Sequence, residues 1–363
     1  MKIGILGAGQ LGRMLALAGY PLDFDFVFLD PTTEACAAPL GTHIHASFDD
    51  ERALQEFCVS VDVATFEFEN VSAHSAEFVA ARVPLYPTPR ALTAGQDRLH
   101  EKKLFSDLGV PVPGNIAVSS LDGLKAAVAH LGLPAVLKTR RMGYDGKGQA
   151  VLRTAEDLTA AWETLGSQPL ILEQFIPFER EVSCLAVRAK TGEMRFYPLV
   201  ENVHRDGILR TAIPTVNDPL QGEGEGYARR VAEHLDYVGV MAFEFFVAGG
   251  RLLANEIAPR VHNSGHWSIE GAEVSQFENH LRAVAGLPLG STALRGASAM
   301  VNLIGSAPST AELAALPGVH VHSYGKTPKP QRKIGHVTVT ADTRELLMQR
   351  LAPVQALAEQ NAS

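Results

Sequence analysis

Lys138 ends a short apolar run, Ala135 to Leu137, and stands just before Gly143-Tyr144-Asp145-Gly146-Lys147-Gly148-Gln149. Glycine lets such a loop curl and turn its N–H groups toward one ligand, and a strand-end lysine beside amide donors suits a polyphosphate. The spacing is not that of G-x-x-x-x-G-K-[ST], and a second apolar run, Ala150 to Leu152, follows instead of a helix. The segment therefore reads as a hairpin lid over a nucleotide rather than a Walker-type cradle. The competing reading is a flexible turn with a solvated lysine.

A second constellation supports the nucleotide. Residues 238–247 form an apolar run with one carboxylate, Glu244, and Gly249-Gly250 leads into Arg251 to Ala258, which carries Asn255 and Glu256. Gly-Gly between two apolar runs signals a hairpin. An odd-numbered loop puts Glu244 and Glu256 on one sheet face, opposite or diagonal. Two carboxylates amid Phe, Met and Ile repel unless protonated or bridged by a cation. A hard divalent ion that keeps positions for phosphate oxygens is Mg²⁺ in habit, with Mn²⁺ an alternative. Against this, each glutamate could have its own buried cationic partner, such as Arg260.

Three further groups could do chemistry. Gly7-Ala8-Gly9-Gln10-Leu11-Gly12 after a strand, with Asp30 ending the next, is a complete dinucleotide fingerprint and the basis of a rival reading, an NAD-dependent oxidoreductase. Helix N-termini bind any anion, so the loop can serve another ligand. Glu67 and Glu69, two apart at a strand end, share one face and border the binding crevice of a parallel sheet; solvated charge is the alternative for Glu67. Arg260, His262 and Asn263 make a positive, hydrogen-bonding pocket after Glu256 that suits a small anion. His262 and His266 lack the H-E-x-x-H pattern of a zinc helix. Lys326, Lys329, Arg332, Lys333 and His336 crowd one stretch, a pattern that usually marks a solvated loop.

Taken in order, Gly143 to Gln149, Glu173-Gln174, His204-Arg-Asp-Gly-Ile-Leu-Arg-Thr211 and Asn255-Glu-Ile-Ala-Pro-Arg-Val-His-Asn-Ser-Gly-His266-Trp resemble the ATP-grasp superfamily. Within it they resemble the N5-carboxyaminoimidazole ribonucleotide synthetase family of bacterial and fungal purine synthesis. The resemblance runs from Gly7 to about His336, and Lys147 stands where some relatives carry arginine. It implies an ATP-grasp fold, α/β and α+β in class. A Rossmann-like pre-ATP-grasp domain would span 1–95. An ATP-grasp domain would span 96–288, with a lid at about 110–177. A small C-terminal domain, 289–363, would complete the substrate site.

The activity implied is a carbon–nitrogen ligase joining bicarbonate to aminoimidazole ribonucleotide through carboxyphosphate, with ATP as co-substrate. The ATP residues would be Arg98, Lys138, Gly143, Tyr144, Asp145, Gly146, Lys147, Gly148, Gln149, Glu173, Gln174, Phe175, Ile176, Glu181, His204, Asn255 and Glu256. The substrates would meet Gln10, Leu11, Glu69, Tyr144, Asp145, Arg260, His262, Asn263, Lys326, Arg332 and Lys333, with Arg260 and Lys138 catalytic and Glu244 and Glu256 on the metal. The formate-dependent glycinamide ribonucleotide enzyme shares this architecture and is the alternative within the superfamily. The family implies a homodimer.

Bulk properties agree with a metabolic enzyme. The 363 residues give room for two or three cores, and 46% apolar residues with a mean hydropathy of +0.04 are ordinary for a globular chain. No membrane-length apolar run occurs, and the chain opens directly into a strand rather than a signal peptide. Cys36, Cys58 and Cys184 are scattered, which suggests a reducing cytoplasm, and a net charge of −8 argues against nucleic acid.

The positioning elements read as βαβ at the start, with strands 2–6, 24–29 and 61–68 and a helix from Gln10 to Gly19. A helix from about Arg90 to Leu108 follows, and then one between Ser120 and Gly132 as caps. Thr154 with Asp157 opens another to Leu165, before a strand at Leu170 to Gln174. Antiparallel strands around a helix at Tyr227 to Leu235, a helix at Ser275 to Ala285, and strands at 319–324 and 334–340 complete the expectation.

Overall fold

The computed structural model describes residues 1–143 and 146–361. The first sheet is parallel, in the order Thr42–His45, Asp25–Asp30, Lys2–Leu6, Val63–Phe66. Parallel strands need crossovers, and helices Gln10–Gly19 and Glu51–Val59 provide them. Ile3, Ile5 and Phe28 pack on one face and Leu6, Val27 and Leu29 on the other, which is why these strands are apolar throughout.

The second sheet is antiparallel, in the order Asn115–Val118, Leu170–Gln174, Ala135–Thr139, Gln149–Leu152. Helices Leu121–Leu131 and Asp157–Leu165 cover its apolar side through Leu124, Ala127, Leu158 and Ala161. Ser120 caps the first by accepting from Gly123 N at 3.0 Å. The Asp157 carboxylate reaches back to Thr154 N at 2.9 Å.

The third sheet has nine strands and joins the middle of the chain to its end. Its order is Arg251–Ala258, Gly239–Ala248, Arg180–Arg188, Val200–Arg205, Ile208–Pro214, Ala297–Ile304, Lys333–Ala341, Val319–Ser323, and Met194–Phe196 pairs with Arg180–Arg188. The C-terminal strands continue this sheet, joined by Thr211 opposite Val301 and Ala212 opposite Met300. Register shifts interrupt it at Glu244/Phe245, Val203/His204 and Leu303/Ile304. Helix Gln276–Ala285 lies between the first and third sheets. His280 there accepts from Val240 N at 3.1 Å and meets Thr65 Oγ1 at 2.8 Å. Burial holds its pKa down to about 3, so it works as a neutral two-sided linker.

Two expectations change. The helix expected from Arg90 to Leu108 is two helices, Pro89–Ala94 and Arg98–Asp107, with Asp97 capping the second through Leu99 N at 3.1 Å. The helix expected at Tyr227 starts earlier and runs Gln221–His234.

Candidate active site

The carboxylate hairpin closes on Gly249 and Gly250, whose φ angles of 58° and 70° are those a two-residue primed turn demands. The loop is thus even-numbered, not odd. A regular ladder from Ala248 opposite Arg251 would bring Asn255 opposite Glu244. The bulge between Phe245 and Glu244 inserts one residue, and Glu256 takes that place.

Each glutamate does have a partner, but of different kinds. Glu256 accepts from Arg98, which also donates to Gly143 O at 3.4 Å. Burial works against its ionisation, and Arg98, Lys138 and Lys102 outweigh it and hold the pKa low. Glu244 meets His262 Nε2 at 3.1 Å. Ser264 N donates to His262 Nδ1 at 3.3 Å, which leaves the proton on Nε2. Burial, Arg260 and Lys333 push His262 well below the ordinary imidazole range, so this partner is neutral. Burial and then Glu256 lift Glu244 to about 7. The positive charge that His204 and Lys333 offer Glu244 does not offset its burial and Glu256, and the neighbouring Asn255 Oδ1 is buried without a partner. The donor set fits a hard divalent cation.

Helix Arg98–Asp107 carries the next layer. Arg98, Glu101, Lys102 and Phe105 fall on one stripe, three and four apart, and all but Arg98 are buried. Glu101 accepts from Ile257 N at 2.7 Å, and Lys102 Nζ donates to Ala254 O at 3.2 Å and Asn255 O at 2.5 Å. Lys138 Nζ donates to Glu173 at 2.7 Å, with Lys102 at 3.6 Å on the other oxygen. Burial opposes its charge, but Lys138, Lys102 and Arg98 hold Glu173 at about 2. Its side chain is therefore turned inward onto Lys138, while Gln174 N and Phe175 N donate to Gly114 O at 2.8 Å and Pro134 O at 3.4 Å. Glu181 is set on His204 Nδ1 at 2.9 Å; burial would lower that imidazole, and Glu181 with Glu244 raises it instead.

The glycine loop follows Lys138. Tyr144 and Asp145 lie outside the described residues. Gly146 has φ +75°, and a Cβ there would come within 3.1 Å of Gly207 Cα, so the loop rests on the turn between Val200–Arg205 and Ile208–Pro214. Gly148 and Gln149 lead back into the lid sheet, and Lys147 is exposed at the loop's surface.

The N-terminal loop departs from the dinucleotide pattern. Glu67 is buried and accepts from Gly9 N at 2.7 Å and Gly12 N at 3.2 Å. It is not solvated, and its carboxyl group takes two of the loop amides that a pyrophosphate would need. Asp30 is likewise engaged, by Ala8 N at 2.8 Å and Thr32 N at 2.7 Å. Leu11 packs its side chain in the core. Gln10 meets Lys326 Nζ through its side chain, which brings the C-terminal lysine to this loop.

Glu69 accepts from Arg260 Nη2 at 2.7 Å, tying the first sheet to the segment after Glu256. Asn263 exchanges amide hydrogen bonds with Asn302 at 3.0 and 2.6 Å. Arg332 donates to Thr327 O at 3.1 Å, and Lys333 influences the ionisation of Glu244, His204 and His262. The basic stretch is thus partly an arm of the site. His336 is not basic: it is buried, held at Nδ1 by Tyr324 OH at 2.7 Å. The inward roles of Glu101, Lys102 and Glu67 are absent from the sequence reading, although charged residues on the Arg98–Phe105 stripe are a signal.

Comparison with known proteins agrees with this geometry. Family models match residues 1–96 (ribonucleotide synthetase preATP-grasp domain), 103–277 (ATP-grasp domain) and 298–350 (phosphoribosylaminoimidazole carboxylase C-terminal domain). The N5-carboxyaminoimidazole ribonucleotide synthase of Pseudomonas aeruginosa is 56% identical over 99% of this chain and 100% of its own. The crystal structure of the Thermus thermophilus synthetase is 55% identical with TM-score 0.94, covering 98% of both chains. The Aspergillus clavatus synthase in complex with ADP and 5-aminoimidazole ribonucleotide is 31% identical with TM-score 0.92, covering 99% of this chain and 98% of that one. With the carboxylate hairpin and C-terminal basic arm on one sheet and the glycine lid on another, the chain belongs to the N5-carboxyaminoimidazole ribonucleotide synthase family of ATP-grasp ligases.

Proposed function

We propose that this ligase joins bicarbonate to the exocyclic amine of aminoimidazole ribonucleotide at the site built around Glu244, Glu256, Lys138 and Arg260. The observation that carries it is the facing pair Glu244 and Glu256, flanked by Arg98 and Lys138 on one side and Arg260 and His262 on the other. Glu244 and Glu256 would hold Mg²⁺ or Mn²⁺, which when bound neutralises charge on the terminal phosphates of ATP. Lys138, Arg98, Lys147 and the amides of residues 143–149 would bind those phosphates, with Glu173 keeping Lys138 oriented. The main chain from Glu173 to Ile176, with Glu181, His204 and Asn255, would meet the rest of the nucleotide.

A bicarbonate oxygen attacks the γ-phosphorus, the bond to the β-phosphate oxygen breaks, and ADP leaves carboxyphosphate behind. Arg260, His262 and Asn263 hold the anion, and the closed loop excludes water. The amine nitrogen then bonds to the carboxyl carbon, directly or through CO₂ freed in the closed site, phosphate departs, and the nitrogen loses a proton. Gln10, the Leu11 main chain and Glu69 would face the ribonucleotide, and Lys326, Arg332 and Lys333 its 5′-phosphate, since charge-assisted contacts to a dianion are strong. Tyr144 and Asp145 belong to the same reading. So do the partition at residues 95 and 288, a homodimer and a cytoplasmic location.

The test is ADP release with each combination of aminoimidazole ribonucleotide, glycinamide ribonucleotide, bicarbonate and formate. Turnover should require aminoimidazole ribonucleotide and bicarbonate. Productive turnover with formate in place of bicarbonate would overturn the assignment.

A further inference from the structure

Arg251–Ala258 is an edge strand, paired on one side only, so its outward backbone groups need other partners. Helix Arg98–Asp107 supplies them: Lys102 Nζ takes the carbonyls of Ala254 and Asn255, and Glu101 takes the N–H of Ile257. Both side chains are 1% exposed. Pro111 O accepts Ala254 N at 2.8 Å just beyond. These groups bracket the one-residue bulge that exchanges Asn255 for Glu256 opposite Glu244.

We propose that Lys102 and Glu101 are positioning residues that clamp this bulge and so set the register in which Glu256 faces Glu244. Ala254 already faces off the sheet edge, the bulge turns the Asn255 carbonyl out beside it, and one ammonium bridges both. An ammonium has three donors, and its third lies toward Glu173, 3.6 Å away. Glu101 holds the strand on the far side of Glu256, so the residue is fixed from both flanks. The proposal rests on Glu244 and Glu256 holding a divalent cation, and the experiment separates the two.

Calorimetric titration with ADP, with and without Mg²⁺, gives the ratio of affinities that the metal contributes; Mn²⁺ binding followed by electron paramagnetic resonance gives a second readout. The ratio should fall about tenfold or more in Lys102→Met and Glu101→Leu, the range typical for partners that orient metal ligands. In Glu101→Gln, whose amide oxygen still accepts Ile257 N–H, it should stay within about twofold of wild type. An unchanged ratio in Lys102→Met and Glu101→Leu, beside a reduced one in Glu244→Gln, overturns the clamp and leaves the metal reading standing. An unchanged ratio in Glu244→Gln overturns both. Equal losses in Glu101→Gln and Glu101→Leu also overturn the clamp. If Lys102→Met does not fold, the two Glu101 variants decide alone.

Discussion

Glu173→Gln tests the electrostatic account of the site most directly. Its carboxylate is 3% exposed at the side chain, with Lys138 at 2.7 Å and Lys102 at 3.6 Å. Burial would raise its pKa, but these cations hold it at about 2 against an ordinary 4.5. That depression corresponds to about 3 kcal/mol of folded-state stability at neutral pH. Because the folded pKa is the lower one, the stabilisation is complete above the unfolded value and is lost as pH falls toward about 2. Glutamine removes the titration. The stability gap between wild type and variant should therefore be about 3 kcal/mol at pH 7, and smaller by about 1.4 kcal/mol at pH 3.5. Urea unfolding measures it, provided fluorescence and circular dichroism transitions coincide. Turnover should fall as well, since Lys138 loses the partner that orients it. A gap that does not change between pH 7 and 3.5 would refute the claim that Lys138 and Lys102 set the charge on Glu173.

Other outcomes follow from the same geometry. Glu256→Gln should abolish ATP turnover with the fold intact; near-normal phosphate release would remove Glu244 and Glu256 from the metal site. Lys333→Ala should raise the ribonucleotide KM and leave ATP affinity nearly unchanged, at about 1.5–3 kcal/mol in kcat/KM; a KM within about twofold of wild type would return the basic stretch to a solvated loop. Gly146→Ala forces a side chain into φ +75° and against Gly207, so the loop should close less often and the ATP KM rise several-fold; unaltered ATP kinetics would mean this contact does not matter. Saturable NAD(H) binding that survives ATP competition would contradict the reading of Glu67 as the group that occupies the loop's amides.

The sequence displays composition-driven features well and register poorly. Alternating apolar runs and caps locate Gln10–Gly19, Leu121–Leu131 and the carboxylate hairpin, because burial periodicity and capping are local. The bulge is invisible there: no residue type marks one inserted position, and the Gly-Gly turn alone points to Asn255. Glu67 reads as a strand-end charge because its partners, Gly9 and Gly12, lie more than fifty residues away. His336 reads as basic by company, yet tertiary packing buries it beside His322, with ring centroids 4.4 Å apart. Glu101 and Lys102 carry a readable hint, a charged pair on the buried stripe, but their targets lie on a strand about 150 residues later.

The nine-stranded sheet cannot be flat. From Gly239–Ala248 to Lys333–Ala341 there are five strand steps, on the order of 24 Å at about 4.8 Å each if laid in a plane. Lys333, at the far end of that span, is among the charges that bear on Glu244 and on His262. Large sheets twist and coil, which shortens such a span, and bulges are where a ladder gains twist. The three register shifts fall at Glu244, at His204 and beside Lys333, so residues of the site sit at the points where the sheet bends. If the two ends bind ATP and the ribonucleotide as proposed, straightening the ladder at Val203/His204 would pull those two sites apart without changing any of the side chains proposed to bind them.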